Sequence, residues 1–269
     1  MDFFSGKTFF ELAGYIWNDL MNLASGTLLK NPAKGTYAGT WTDVSSVYTT
    51  MSLLSGILVT LFFLYGFCRE CTDLHTEMSF DRTIKLFIRL IITSNVVTFA
   101  FSWIPDFLKW GKNLTSAVLG VKKFGFYLDG EKIYEEIASA DWGGMVAFLT
   151  SFIFFLYTAV CGFMIVMAVI KRILKIYMTA PFCGLALSTL AAGGQLSQIG
   201  YSYIRSFFGY ILVALLIALA IVLSTTFIGT IGVKTDNAIM ILVEYCLKMG
   251  AITSAVKGAE AMMQKAFNL

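Results

Sequence analysis

The chain has 269 residues, of which 57% are hydrophobic and only 14% charged, and its net charge is +3. Soluble domains carry about 25% charged residues, so a water-soluble globular enzyme is excluded, and the mean hydropathy of +0.74 agrees. The cations are dispersed along the chain, which argues against a nucleic-acid-binding stripe.

Three stretches without a charged residue lie almost end to end: Trp142–Ile170, Ile176–Ile204 and Ser206–Val233. Lys171-Arg172-Ile173-Leu174-Lys175 and a single Arg205 are all that break them. A hydrocarbon core about 30 Å thick is crossed by roughly 20 apolar helical residues. The expected fold is therefore all-α: a polytopic transmembrane helical bundle of five to six spans with an N-terminal amphipathic helix. The expected division is a leader over residues 1–43 and a membrane domain over 44–269, with an extracytoplasmic segment at about 105–141. Asp2 and Glu11 break up the N-terminal apolar run, so no cleaved signal peptide is expected.

In chain order, residues 4–29 read as the amphipathic helix. Phe9, Leu12, Ile16, Leu20 and Leu23 recur at helical spacing, with Glu11, Asn18 and Asn22 opposite them. Such a helix either lies in the membrane plane or on a partner, or packs on the chain's own spans. Tyr15 and Trp17 suit a headgroup interface. Asn31-Pro32 and Gly35 end it, and Asp43 or Ser45 is placed to cap the next helix. The first span is Val44–Cys68, followed by a polar turn over Arg69–Asp81. The second span, Thr83–Ile104, carries Lys85 and Arg89 and stops at Pro105-Asp106. Residues 107–119 suggest an interfacial helix, and Leu128-Asp129-Gly130-Glu131 a tight turn, as of a hairpin between 124–128 and 132–134.

A third span is expected over Gly143–Ile170. The 171–175 link then forms a tight loop before a short fourth span, Ile176–Ala192, whose 17 residues rise about 26 Å and which Pro181 kinks. After Gly193-Gly194 come a fifth span, Phe207–Gly232, and a last helix over 237–267, which either spans or lies on the surface. Glu244 and Lys248 face each other there at i, i+4, as a buried or a surface-facing pair. The short cationic link, read as a cytoplasmic loop, places the N-terminus outside by the positive-inside rule.

Catalytic patterns are missing: there is one histidine, His75, and no HExxH, GxSxG or phosphate-binding loop. No catalytic, cofactor or metal site is expected, and the chain is not expected to be an enzyme. The only metal-like spacing is Cys68-x-x-Cys71 with His75 behind it, and Asp73 or Glu77 nearby; a single CxxC is a weak metal signal and reads first as two thiols and an imidazole at a helix end. Arg89 either snorkels to headgroups or faces the bundle interior.

The segment Lys171-Arg172-Ile173-Leu174-Lys175-Ile176-Tyr177-Met178-Thr179-Ala180-Pro181, then a short glycine loop and Tyr203-Ile204-Arg205-Ser206-Phe207-Phe208, resembles the TrbL/VirB-six family of conjugal-transfer membrane proteins. It is most similar to the short forms of Gram-positive integrative conjugative elements. Leu64-Tyr65-Gly66-Phe67-Cys68-Arg69-Glu70 and the tail motifs Ala255-Val256-Lys257 and Lys265-Ala266-Phe267 fit the same pattern, so the likeness covers most of 44–269. The resemblance implies a channel-associated subunit of a type IV secretion system in the bacterial cytoplasmic membrane, with an external N-terminus. Its implied partners are other channel subunits, secretion ATPases, further copies of itself, membrane lipid and, transiently, the transferred DNA or protein. The family is not an enzyme family. Candidate functional positions are Arg89, Lys171, Arg172, Lys175 and Pro181. The competing expectation is an autonomous small-solute transporter or channel.

Overall fold

The computed structural model describes residues 6–72, 80–120, 127–138, 144–230 and 238–267, and among them every regular element is a helix. In order these are α1 (Lys7–Leu28), α2 (Ala38–Thr72), α3 (Phe80–Gly120), α4 (Gly130–Ala138), α5 (Gly144–Thr179), α6 (Cys183–Ser188), α7 (Gly194–Thr230) and α8 (Ala238–Ala266), with 3-10 turns at Gly35–Tyr37, Ala180–Phe182 and Thr189–Ala192. Among the described residues five helical runs are long and apolar enough to cross a membrane: Gly35–Thr72, Thr83–Gly120, Val146–Ala192, Gly194–Leu223 and Ile239–Ala266. The chain is thus an all-α, multi-pass membrane protein. Its last helix qualifies as a span.

Several sequence expectations fail for local reasons. The 171–175 segment is not a loop. It lies inside α5, and no glycine, proline or asparagine interrupts it. The expected third and fourth spans consequently form one helical run, and the orientation argument built on a short cationic loop loses its loop. Pro105 does not stop the second span; α3 continues through it to Gly120, giving 41 residues and a rise of about 61 Å. The proline removes the N–H that would reach the Phe101 carbonyl and its ring crowds that carbonyl, yet the helix continues. Asp43 and Ser45 are not caps, because α2 begins at Ala38; the Ser45 hydroxyl instead donates to the Thr42 carbonyl at 2.8 Å, which satisfies it within the helix. The hairpin is replaced by α4 over residues 130–138, with 124–126 outside the described residues. Asp129 caps α4: its carboxylate accepts from the Lys132 N–H at 3.3 Å and its carbonyl from the Ile133 N–H at 3.1 Å. The Pro181 expectation holds in kind, since α5 ends at Thr179 and a 3-10 turn begins at Ala180.

Two compact units divide the chain, and α3, α5, α7 and α8 contribute to both. The first comprises Met1–Leu29, Lys112–Lys171 and Val213–Met262. In it, α1 packs on α4 and α5 rather than facing outward. The buried stripe is Phe10, Ala13, Gly14, Trp17, Met21, Ala24 and Leu28, not the Phe9–Leu23 stripe; Leu12 and Leu23 are exposed. Small residues on the buried side allow the close approach. A Cβ on Gly14 would lie 2.9 Å from the Leu128 carbonyl oxygen, and Trp17 is completely buried instead of sitting at a headgroup surface. Phe9 stacks edge-on against Phe148 and Phe152, with ring centroids at 5.3 and 5.5 Å. Asn18 grips the entry to α4 twice, donating to the Leu128 carbonyl at 3.0 Å and accepting its N–H at 3.1 Å. Glu244 and Lys248 form an ion pair with side chains only 14% and 15% exposed, so the pair is largely buried.

The second unit comprises Lys30–Gly111, Arg172–Leu212 and Met263–Leu269. Its core is the Ile176, Ala180, Cys183, Leu187 and Ala191 stripe, packed with Val97, Ala100, Ile104 and Leu108 of α3 and Phe207 and Ile211 of α7. The three- and four-residue spacing marks a helix face turned to the bundle. Trp41 and Tyr48 of α2 stack on Phe101, with interplanar angles of 12° and 7°.

Candidate functional site

Arg172 and Lys175 leave α5 toward α7. Arg172 is 6% exposed. Its Nε donates to the Tyr210 carbonyl at 3.0 Å and its Nη2 to the Ile211 carbonyl at 3.4 Å. Each of these carbonyls sits inside α7 and has a second lone pair for the guanidinium beyond its helical bond. Among the described residues no carboxylate pairs with Arg172, so two backbone dipoles carry the buried charge. Lys175 Nζ lies 5.7 Å from the Tyr210 ring centroid, within cation–π range. Further along the same interface the Tyr203 hydroxyl donates to the Thr179 carbonyl at 3.0 Å, just before the Pro181 turn. Arg172 and Lys175 thus belong to one α5–α7 seam, and Pro181 is buried in the turn that follows α5. Lys171 does not belong to the seam; in the first unit its exposed side chain lies 4.0 Å from Glu260.

Arg89 belongs to a second constellation, at the end of the second unit where α2 stops and α3 starts. A pocket of about 430 Å³ is lined there by Gly66, Arg69 and Glu70 of α2, Lys85, Leu86 and Arg89 of α3, Ala192, and Gly194 of α7. Arg89 Nη1 is 3.6 Å from the Glu70 carboxylate, a charge contact without a hydrogen bond, and that nitrogen is shielded from solvent. Gly193 and Gly194 both take positive φ, 66° and 57°. A Cβ on Gly193 would strike the Arg89 guanidinium, and one on Gly194 that of Arg69. The glycine pair is what admits two arginines to the carbonyl end of the helical run closing at Ala192, where the helix dipole favours cations. Gly66 similarly brings α2 against the Ala192 carbonyl.

No family model, curated protein or solved structure matches the chain. The functional reading therefore rests on the residues and their arrangement.

Sequence reasoning found Arg89 and the α5 cations but missed Glu70, Arg69 and the glycine pair. The adjacent Gly193-Gly194 was a readable signal for a turn needing positive φ; nothing local tied it to residues more than 100 positions earlier. Cys68 and Cys71 are exposed at the end of α2, while His75, Asp73 and Glu77 lie outside the described residues.

Proposed function

We propose that the chain is a structural, channel-associated subunit of a type IV secretion or conjugation system, helping DNA or protein across the bacterial cytoplasmic membrane without catalysis of its own. The observation that carries this reading is the α5–α7 seam. The two stretches on which the TrbL/VirB-six resemblance rests, 171–181 and 203–208, meet there through the Tyr203–Thr179 hydrogen bond, and Arg172 is held a few residues further along α7. The broad apolar exposure of α2, α3 and α5 supports a subunit that packs against lipid, other channel components and further copies of itself. The N-terminus is proposed to lie outside, with the cations of the α2 end and the α3 start, Arg69, Lys85 and Arg89, on the cytoplasmic side.

The test is gentle extraction of the tagged protein from its native host and mass spectrometry of what co-purifies. Secretion-type ATPases and other transfer-channel subunits are the expected companions. A lone, stable monomer that also gives substrate-dependent flux in liposomes would sink the proposal in favour of an autonomous transporter.

A further inference from the structure

The pocket between α2, α3 and the start of α7 holds three cations, Arg69, Lys85 and Arg89, against one carboxylate, Glu70. It is built rather than incidental. Two glycines at positive φ make room for the two guanidinium groups, and Gly66 brings α2 in against Ala192. The Nη1 of Arg89 is shielded from water yet makes no hydrogen bond, although a buried guanidinium donor without an acceptor is costly. An anion with several oxygens would supply that acceptor and balance the excess charge. The position selects the kind of anion. The pocket opens where the charge-free run Val44–Cys68 ends and just before the charge-free part of α3 after Arg89 begins, which is the depth of phospholipid headgroups. Basic pockets between membrane helices at that depth take acidic lipid headgroups.

We propose that this pocket binds a phosphate group, supplied by the phosphodiester of an anionic phospholipid, with Arg69 and Arg89 gripping the phosphate oxygens and Lys85 at the mouth. The site is independent of any role in transfer, and holds whatever cargo the protein serves.

The experiment is lipid titration of the full-length protein in neutral detergent, read by thermal unfolding and by lipid retention in native mass spectrometry. The probes are cardiolipin, phosphatidylglycerol, phosphatidylcholine and inorganic phosphate. Cardiolipin and phosphatidylglycerol are expected to raise the melting temperature and to be retained, and phosphatidylcholine to do neither. Each cation removed should weaken retention about fivefold. The double variant R69Q/R89Q tests the grip directly. Lys85→Gln, which leaves the Arg89–Glu70 contact intact, tests it if the double variant fails to fold. Stabilisation by inorganic phosphate alone, equal to that by the lipids and lost in K85Q, would keep the phosphate site but overturn the lipid as its source. Equal retention of anionic and zwitterionic lipid, or retention unchanged in K85Q and R69Q/R89Q, would overturn the site itself.

Discussion

A buried arginine that leans on backbone carbonyls is an uncommon arrangement, and it makes Arg172 informative. Removing one partner of a buried charge pair is strongly destabilising because it strands the other charge, while replacing the whole pair by apolar groups of similar volume is often neutral. Here the partners are carbonyls of Tyr210 and Ile211 that already belong to α7, so they lose little when the guanidinium goes. Arg172→Met should leave the melting temperature in detergent within a few degrees of wild type. Arg172→Glu sets carboxylate oxygens against carbonyl oxygens and should cost roughly 3 kcal/mol or more, visible as loss of the folded peak in size-exclusion chromatography. If Arg172→Met folds yet abolishes transfer in a mating assay, the seam matters to function beyond holding α5 to α7. Asn18 presents the opposite case. It serves both the N–H and the C=O of Leu128, and Leu128 is 1% exposed. Asn18→Leu strands two buried backbone groups and should destabilise by about 1–3 kcal/mol, measurable as an earlier thermal transition. An unchanged transition would mean that water replaces the amide.

At the scale of elements, glycine contacts decide how near the helices come. Gly66 of α2 faces the Ala192 carbonyl so closely that a methyl group has no room. Gly66→Ala should therefore push α2 from the 189–192 turn and cost about 1–3 kcal/mol. Gly56, on the same helix with open space around its Cβ position, is the control: Gly56→Ala should not destabilise, as alanine is the better helix former. Equal melting temperatures for the two variants would refute the close approach. The contrast also shows where sequence reading reaches its limit. That α2, α5 and α7 would be helices was plain from uncharged runs, because apolar composition and length are local properties, while the charges in α8 left its depth open. Where they end was not. Pro105 looked like a terminator, yet an interior proline costs one hydrogen bond, which a 41-residue helix tolerates. Lys171-Arg172-Ile173-Leu174-Lys175 looked like a loop because charge was taken to mean water, while Arg172 finds its polar partners on α7. On α1 the large apolar residues drew the eye, but the packed face belongs to Ala13, Gly14 and Ala24 beside Trp17, where small side chains let the backbone come close. The basic pocket was legible only in part: Arg89 stood out as a charge inside a span, whereas Glu70 and Gly194 acquire meaning only once their helix ends meet.

For the whole molecule, joining the expected third and fourth spans changes the parity of the chain. If each of the five apolar runs among the described residues crosses once, one crossing fewer precedes the Gly193-Gly194 turn. The Gly193-Gly194 turn discriminates more sharply still. With a separate fourth span, that turn faces away from the α2–α3 turn. In the structure Gly66, Arg69, Lys85 and Gly194 line one pocket, so both turns share a face. Single cysteines on a cysteine-free background, one restored at Cys71 and one introduced at Ser197, should react with a membrane-impermeant maleimide from the same side. The two positions are suited to this because Cys71 lies in the last turn of α2 and Ser197 in the first turn of α7. Reaction from opposite sides would restore the 171–175 link as a water-exposed loop and would overturn α5 as a single helix. Reaction from one side would fix the count of crossings between the two turns at an even number. The Lys171, Arg172 and Lys175 cations would then have to be accommodated along a helix by partners such as Tyr210 and Glu260, not by bulk water.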